Sequence, residues 1–152
     1  MVCQAWSEMP FDVSTDAVFV IASTPLSVRQ ALCEILRHPL MAHQSVAVRG
    51  NAEVVLAEIL NNIVEHAYAD ASGQIDVRLQ LRPYRLLCQI IDRGIPMPRN
   101  ELPTVFAQAI GAENDLPEGG FGWFLIRSLT ENMVYRRTDG RNHLSFQLNF
   151  EQ

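Results

Sequence analysis

The stretch EILNNIVEHAY, from Glu58 to Tyr68, lies in the helix around which the rest of the chain is organised. Apolar residues at helical spacing predict this helix over at least residues 52–68, with a start as early as Ser45 if Gly50 is tolerated inside it. Its polar residues stand at i, i+4, i+7 and i+8 and share one face: Glu58, Asn62, Glu65 and His66. A solvated helix face normally includes Lys or Arg, and this one has neither. The stripe therefore fits either a solvated surface or a polar pocket beside the core.

Two further stretches carry residues suited to ligand binding. In IIDRG, from Ile90 to Gly94, Asp92 ends an apolar strand, where an aspartate can also simply begin a turn. In EGGFG, from Glu118 to Gly122, three glycines open a helix. Backbone amides can approach a ligand closely there, and the helix N-terminus adds positive potential for a phosphate. Each stretch alone is weak evidence for a binding site.

The periodicity of the remaining chain predicts an α+β protein. Strands are predicted over residues 17–22, 74–82, 86–91, 133–137 and 143–150, and further helices from Thr24-Pro25 to Pro39 and over about 121–131. Asp139-Gly140 is predicted as the turn between the last two strands. This order predicts one domain over residues 1–152: a two-layer α/β sandwich with a mostly antiparallel mixed sheet and helices on one face. The irregular segment 93–118, with a short helix over 102–110, is predicted to be a functional loop.

The composition excludes several classes of protein. The hydrophobic fraction of 48% and the charged fraction of 19% are those of a globular protein, and the net charge of −5 argues against direct nucleic-acid binding. All 12 basic residues are arginines, and the absence of lysine rules out a P-loop and the eukaryotic-type kinase lysine. No apolar run or leader pattern indicates a membrane span or a signal peptide, so a cytoplasmic location is expected.

The cysteines and histidines show no metal-binding spacing. Cys3, Cys33 and Cys88 are far apart, which predicts free buried thiols in a reducing compartment. The four histidines form no paired motif, so no zinc site is expected.

Taken together and in this order, the three stretches resemble the motifs of the Bergerat-fold ATPases, the superfamily of gyrase and the histidine kinases. EILNNIVEHAY looks like the N-box, IIDRG like the first glycine box and GGFGWFLIRSL like the second. Within the superfamily the chain is most similar to the anti-sigma-factor serine/threonine kinases, over roughly residues 25–150, including the closing run from Tyr135 to Leu144. One departure is Pro96, which stands where the first glycine box usually has a second glycine.

The resemblance implies a kinase that transfers the γ-phosphate of ATP, with Mg²⁺, to a serine or threonine of a STAS-type anti-anti-sigma protein, and that also sequesters a sigma factor. It assigns Glu58 as the catalytic base and Asn62 as the metal ligand. The alternative is a nucleotide-gated protein-binding module without phosphotransfer. The presence of both Glu58 and Asn62 favours the enzyme, because binding alone needs no base. An ATP hydrolase is a third interpretation, but the chain has no recognisable second domain on which hydrolysis would act.

The resemblance also implies which residues contact ATP or ADP. Asp92 would accept a hydrogen bond from the adenine amino group and reject guanine, which presents a carbonyl there. Residues 97–118 would form a lid over the nucleotide. Trp123 and Phe121 are further interpreted as packing the helix on the sheet. The implied nucleotide contacts are Asn62, His66, Asp92, Gly94, Met97, Gly119, Gly120, Phe121 and Gly122.

Two surface features leave their interpretation open. Arg136, Arg137 and Arg141 fit either a solvated hairpin or a contact for acidic residues of a partner. The apolar strand near residues 11–22 is predicted to lie at an exposed edge of the sheet. We hypothesise that a homodimer covers this edge.

Overall fold

The computed structural model describes residues 15–104 and 120–150 of the chain. Five strands form one sheet in the order β1-β2-β3-β5-β4, and each neighbouring pair is antiparallel. The strands are β1 (Asp16–Ala22), β2 (Gln74–Arg82), β3 (Arg85–Asp92), β4 (Glu131–Thr138) and β5 (Arg141–Asn149). The prediction of an α+β fold with a mostly antiparallel sheet is confirmed, and the described part of the chain contains no parallel pair.

The helices pack on one face of this sheet. They are α1 (Pro25–Arg37), α2 (Pro39–Ala42), α3 (Val46–Asn62) and α4 (Gly120–Leu129). Alternate residues of the central strands are buried, such as Ile75 and Val77 in β2 and Phe146 in β5. They form one apolar core with Ile35 of α1 and Ile126 of α4. The period of two along each strand therefore separates a face under the helices from a more exposed face.

Local signals set the helix starts. The Thr24 hydroxyl accepts a hydrogen bond from Ser27 N at 3.1 Å. The Ser45 hydroxyl accepts one from Val48 N at 3.2 Å and caps α3. The early start predicted for this helix, with Gly50 inside it, is thus correct. Pro39 follows the end of α1 as predicted, but it also begins α2, because proline is favourable in the first turn of a helix.

The last hairpin has the predicted turn. Asp139 and Gly140 have φ values of 52° and 72°, the positive pair that a two-residue type I′ connection requires. Strand β4 is irregular at its start, where the register shifts between Glu131 and Val134, and Asn132 has a φ of 53°. This bulge increases the local twist at the edge of the sheet.

Three predictions need correction or fall outside the described residues. Cys88 is buried, and burial raises the pKa of its thiol, but Cys33 is exposed on α1 because it lies on the face turned away from the core. Cys3 lies outside the described residues. Of the helix proposed for 102–110, residues 102–104 are not helical and the rest are not described.

None of the helices in residues 15–104 and 120–150 has the length and apolar character needed to cross a membrane.

Candidate functional site

Helix α3 ends in a wider turn than predicted. After Asn62 the chain forms a π-turn over Ile63–Ala67, closed by a hydrogen bond from Tyr68 N to Ile63 O of 3.0 Å. The backbone that follows β3 accounts for this wider turn. Ile95 N donates a hydrogen bond to Ala67 O at 2.9 Å, so that backbone docks on the end of the helix. Single π-turns of this kind are frequent at functional sites. The helix predicted to Tyr68 therefore exists, but its last turn is reshaped by a tertiary contact.

Tyr68 fixes this helix end to the sheet. Its hydroxyl donates to Gln74 O at 2.9 Å and accepts from Arg93 N at 2.8 Å. Burial raises the pKa of Tyr68, so the hydroxyl keeps its proton and both hydrogen bonds at neutral pH. The side chain thus ties the start of β2 and the residue after β3 to the π-turn.

Asp92 lies buried at the end of β3, 5% exposed. Its Oδ1 accepts hydrogen bonds from Gly94 N at 2.9 Å and from Asn142 Nδ2 at 2.8 Å. Burial raises the pKa of Asp92, and these two hydrogen bonds together with the charges of Arg137 and His143 offset part of that rise. Among residues 15–104 and 120–150, Oδ2 of Asp92 has no hydrogen-bond partner, so one carboxylate oxygen remains available to a ligand.

Asn142 holds Asp92 in place, a role that was not predicted from the sequence. Its Nδ2 also donates to Gly94 O and Ile95 O, both at 3.2 Å. Its Oδ1 accepts from the Tyr135 hydroxyl at 2.9 Å and from Arg137 Nη1 at 2.6 Å. A signal was present: Asn142 lies two residues before Leu144, on the core face of β5, where a polar side chain needs a buried partner.

A cavity of about 450 Å³ opens between the end of α3 and this end of the sheet. Four predicted contacts line it: Asn62, His66, Asp92 and Met97. It is also lined by residues that were not predicted to belong to the site, among them Ile59, Ile63, Tyr135, Asn142 and Trp123. A mostly apolar cleft of this size with a few convergent polar groups suits a small organic ligand.

Glu58 and Asn62 meet the start of α4 at Gly122. Both side chains are half-buried, one turn apart on α3. A Cβ atom at position 122 would lie 2.5 Å from Glu58 Oε2 and 4.0 Å from Asn62 Nδ2, so only glycine fits without displacing the carboxylate. Asn62 Nδ2 is buried and has no hydrogen-bond partner within the described chain. An amide left unpaired in this way fits a role in holding a ligand.

The other predicted nucleotide contacts lie in different surroundings. Gly94 packs against the Ala67 backbone rather than facing the cavity with a free surface. Gly120 is the first residue of α4, and Gly119 and the segment 105–118 lie outside the described residues. The side chain of His66 is 75% exposed at the cavity edge, and its only described polar neighbour is Glu65 at 4.0 Å.

The two aromatic residues of the second glycine box behave differently. Trp123 packs on the core as predicted and also lines the cavity. Phe121 was interpreted as packing the helix on the sheet, but it is 55% exposed. It lies two residues before Trp123 in the first turn of α4, and this spacing turns it to the opposite side of the helix. Phe121 as a nucleotide contact stays a prediction.

The described residues contain no group of three or more His, Cys, Asp or Glu side chains that could hold a metal ion. Mg²⁺ commonly takes one or two protein ligands and completes its shell with phosphate and water. Asn62, beside Glu58, would supply such a ligand through its Oδ1 atom, because its unpaired Nδ2 atom is a hydrogen-bond donor and does not bind a cation.

A Gly94→Ala variant tests how tightly the chain is packed here. The added Cβ would lie 2.5 Å from Ala67 O and 2.6 Å from Ala67 Cβ. Neither atom can rotate away, so we expect the free energy of unfolding to fall by about 1–3 kcal/mol. The matched control is Gly50→Ala in α3, where nothing lies within 4 Å, and there we expect a gain of about 0.5–1 kcal/mol. Urea unfolding followed by circular dichroism measures both, and equal stability of the two variants would contradict the tight contact.

Comparisons with known proteins agree with this geometry. Residues 21–148 match the family model described as the histidine kinase-like ATPase domain. Serine-protein kinases RsbW of Bacillus thuringiensis (strain Al Hakam) and Bacillus cereus (strain AH820) are each 28% identical over 93 residues, which is 58% of this chain and 56% of theirs. The chain thus spans about half the length of the curated relatives it matches.

Two solved structures share the fold. The RsbU and RsbW domains of Rv1364c from Mycobacterium tuberculosis give a TM-score of 0.59 at 14% identity, over 90% of this chain and 34% of that one. The histidine kinase domain of the Erythrobacter litoralis EL346 blue-light activated histidine kinase gives 0.51 at 16% identity, over 82% and 60%. At these identities the likeness concerns the fold.

Proposed function

The chain belongs to the histidine kinase-like ATPase domain family, and from this premise we propose that it is an ATP-dependent serine/threonine protein kinase acting as an anti-sigma factor. Its proposed acceptor is a STAS-type anti-anti-sigma protein in a partner-switching pathway that regulates transcription. The RsbW serine-protein kinases, to which the chain is similar at 28% identity, support this choice within the family.

The observation that carries the proposal is the buried carboxylate of Asp92 in the wall of the cavity. Asn142 and Gly94 hold Oδ1, while Oδ2 has no partner among the described residues. A fixed acceptor in an otherwise mostly apolar cavity suits the amino edge of an adenine ring. Met97 and Ile63 line the same cavity and offer apolar contact to the faces of the base.

The phosphates are proposed to lie where α3 meets the start of α4. Gly120 and Gly122, with Gly119 before them, would present backbone amides at the helix N-terminus. Asn62 would hold Mg²⁺ through the Oδ1 atom of its side-chain amide. The metal would neutralise charge that develops on the phosphate oxygens during transfer.

Glu58 is proposed to act as the general base. It would accept the proton of the serine or threonine hydroxyl while that oxygen forms its bond to the γ-phosphorus, and the bond to the β-phosphate oxygen breaks to release ADP. Its Oε2 lies at the Gly122 backbone, close to Asn62, so base and metal ligand are close neighbours. Glu58 does not line the cavity assigned to adenine, which agrees with a role at the phosphate end.

Titration calorimetry with ADP and ATP, with and without Mg²⁺, tests the nucleotide site. We expect Asn62→Ala to weaken Mg-ATP binding and to remove the Mg²⁺ dependence of binding, because the amide is the proposed metal ligand. The matched control is Asn61→Ala, since Asn61 is the preceding residue of α3 and is exposed. If both variants keep the native Mg²⁺ dependence, the metal is held elsewhere.

The same cavity would also serve a nucleotide-gated binding module. The two functions differ in one measurement, the transfer of label from γ-³²P-ATP to a STAS-type acceptor. A native chain that binds Mg-ATP but phosphorylates no such acceptor would make the binding module the better account.

A homodimer through the N-terminal edge of the sheet remains our proposal for the oligomeric state. β1 is an edge strand, and Val18 and Val20 are 49% and 65% exposed on it. We expect light scattering at micromolar concentration to give a dimer mass that Val20→Glu shifts toward the monomer. Val46→Glu is the control, since Val46 is 87% exposed on α3. A monomer mass for the native chain would contradict the proposal.

A further inference from the structure

A second cavity, of about 620 Å³, lies at the same end of the sheet as the proposed nucleotide cavity but on the opposite face. Asp92 and Asn142 are register partners and line the first cavity. Asp76 and Ile91 are also register partners, and they line the second. Neighbouring residues of a strand point to opposite faces, so the sheet separates the two spaces. At the sheet end the two cavities share Ala67, Ile95 and Pro96 as lining residues, and the contact between Ala67 and the Gly94–Ile95 backbone lies between them.

Three arginines from three separate segments of the chain line this second space, which we name the arginine cavity. Arg93 follows β3, Arg137 lies in β4 and Arg141 begins β5. Within the described chain, the side chains of Arg93 and Arg141 have no ion pair or hydrogen bond. Arg137 Nη1 is already used, since it donates to Gly94 O and Asn142 Oδ1.

The arginine cavity contains little negative charge to balance these groups. Its only carboxylate among the described residues is Asp76, which accepts a hydrogen bond from Gln74 Nε2 at 2.8 Å. The whole chain carries a net charge of −5, so this is a local excess of positive charge on an acidic protein. An unpaired arginine excess in a concave surface favours an anionic ligand.

The positive charge continues beyond the cavity along the exposed face of the sheet. His143 is the register partner of Ile91 and of Arg136 on this face. Burial lowers the pKa of His143, and the nearby guanidinium groups of Arg141, Arg78 and Arg136 lower it further. The lowered pKa favours neutral His143, so the positive charge belongs to the arginines around it. The cationic strip consists of Arg141 in β5 and Arg136 in β4, with Arg78 of β2 also near His143.

We propose that the arginine cavity and this strip bind an acidic peptide segment of a protein partner, whose carboxylates pair with Arg93 and Arg141. Guanidinium groups bind carboxylates through paired hydrogen bonds, which gives such clusters their specificity for acidic motifs. A compact anion would reach only the cavity, whereas an extended acidic chain matches the whole strip. Ile91, Ile95 and Pro96 in the cavity wall offer apolar contact to the peptide between its charges. Arg93 and Arg141 do not line the proposed nucleotide cavity, although Ile95 and Pro96 line both spaces, and the site goes beyond the proposed kinase function.

The test is binding of fluorescein-labelled hexaglutamate to the full chain, measured by fluorescence anisotropy. We expect the double variant Arg93→Glu and Arg141→Glu to bind the probe roughly tenfold more weakly or worse, because two attractive contacts become repulsive. The matched control is Arg29→Glu with Arg85→Glu. Both arginines are exposed, and neither lines the arginine cavity, so the net charge changes equally and affinity should change little. Added salt should weaken binding to the native chain.

Four outcomes would overturn the proposal: no binding of the probe to the native chain, an equal loss in both double variants, displacement of the probe by excess ADP, or tight binding of citrate in place of the peptide. Displacement by ADP would place the probe in the nucleotide cavity, and citrate binding would indicate a small-anion site. Failure of nucleotide binding alone would overturn only the proposed function. If thermal unfolding shows that the charge-reversed variant is destabilised, Arg93→Gln with Arg141→Gln supplies the same comparison without repulsion.

Discussion

A Glu58→Gln variant is expected to bind ATP as the native chain does and to transfer phosphate roughly 10²–10⁴ times more slowly, the usual contribution of a general base. Glutamine keeps the size of the side chain and its contact with the Gly122 backbone, so α3 and α4 should pack unchanged. It loses the ability to accept a proton. The effect should therefore fall on the transfer rate and leave the affinity for nucleotide almost unchanged.

Single-turnover transfer to the acceptor protein measures this, with slow ATP hydrolysis as a surrogate. The matched control is Glu53→Gln, since Glu53 is exposed on the same helix and the charge change is identical. Transfer at the native rate by Glu58→Gln would show that Glu58 is not the base, and the kinase proposal would lose its main support.

The second large effect is expected at Asp92, where the native chain should bind ADP and not GDP. Asp92→Ala should weaken ADP binding by about 1–3 kcal/mol, the loss of a charge-assisted hydrogen bond. Asp92→Asn should also change the selectivity between ADP and GDP. The amide oxygen must face Gly94 N and Asn142 Nδ2, since both are donors, so the NH₂ group would point into the cavity. Because that donor opposes the adenine amino group and suits the guanine carbonyl, the ratio of ADP to GDP affinity should fall roughly tenfold or more.

The pH dependence follows from the raised pKa of Asp92. Binding needs the ionised carboxylate, so ADP affinity should be full above this pKa and be lost as pH falls through it, in a range above that of an ordinary aspartate. The folded state also binds this proton more tightly than the unfolded state, so the ionised group opposes folding at neutral pH. Asp92→Asn should therefore not lower stability, and unfolding would not explain a loss of binding.

Calorimetry with ADP and GDP over a range of pH checks these expectations. The control is Asp70→Asn, since Asp70 is exposed beyond the π-turn. Equal affinity of the native chain for ADP and GDP would contradict the assignment of Asp92 to adenine.

Several features of the fold could be predicted because their causes are local. The caps at Thr24 and Ser45, the alternation of Ile75, Val77 and Leu79, and the Asp139-Gly140 turn each depend on residues within a few positions. The local pattern marked Asn62 on a helix face and Asp92 at a strand end, and the resemblance of the three motifs to the Bergerat-fold ATPases assigned both to the site. Both line the cavity that the structure shows.

Other features could not be predicted, because they depend on which distant segments meet. The π-turn at Ile63–Ala67 exists because Ile95 docks on Ala67, and helix periodicity contains no information about that contact. The exposed positions of Cys33 and Phe121 likewise depend on which side of each helix the sheet covers.

The sequence by itself determined the element types, since periods of 3.6 and two and the capping groups are properties of neighbouring residues. The candidate binding residues came from the resemblance of its three motifs to a known family. Only the tertiary structure decided that Asn142 holds Asp92, 50 residues away, and that Arg93, Arg137 and Arg141 share one cavity. The pairing register of β3, β4 and β5 places Asp92, Asn142 and Arg137 side by side. Arg141 precedes Asn142 in β5 and therefore lies on the opposite face, while Arg93 lines the arginine cavity from the segment that follows β3.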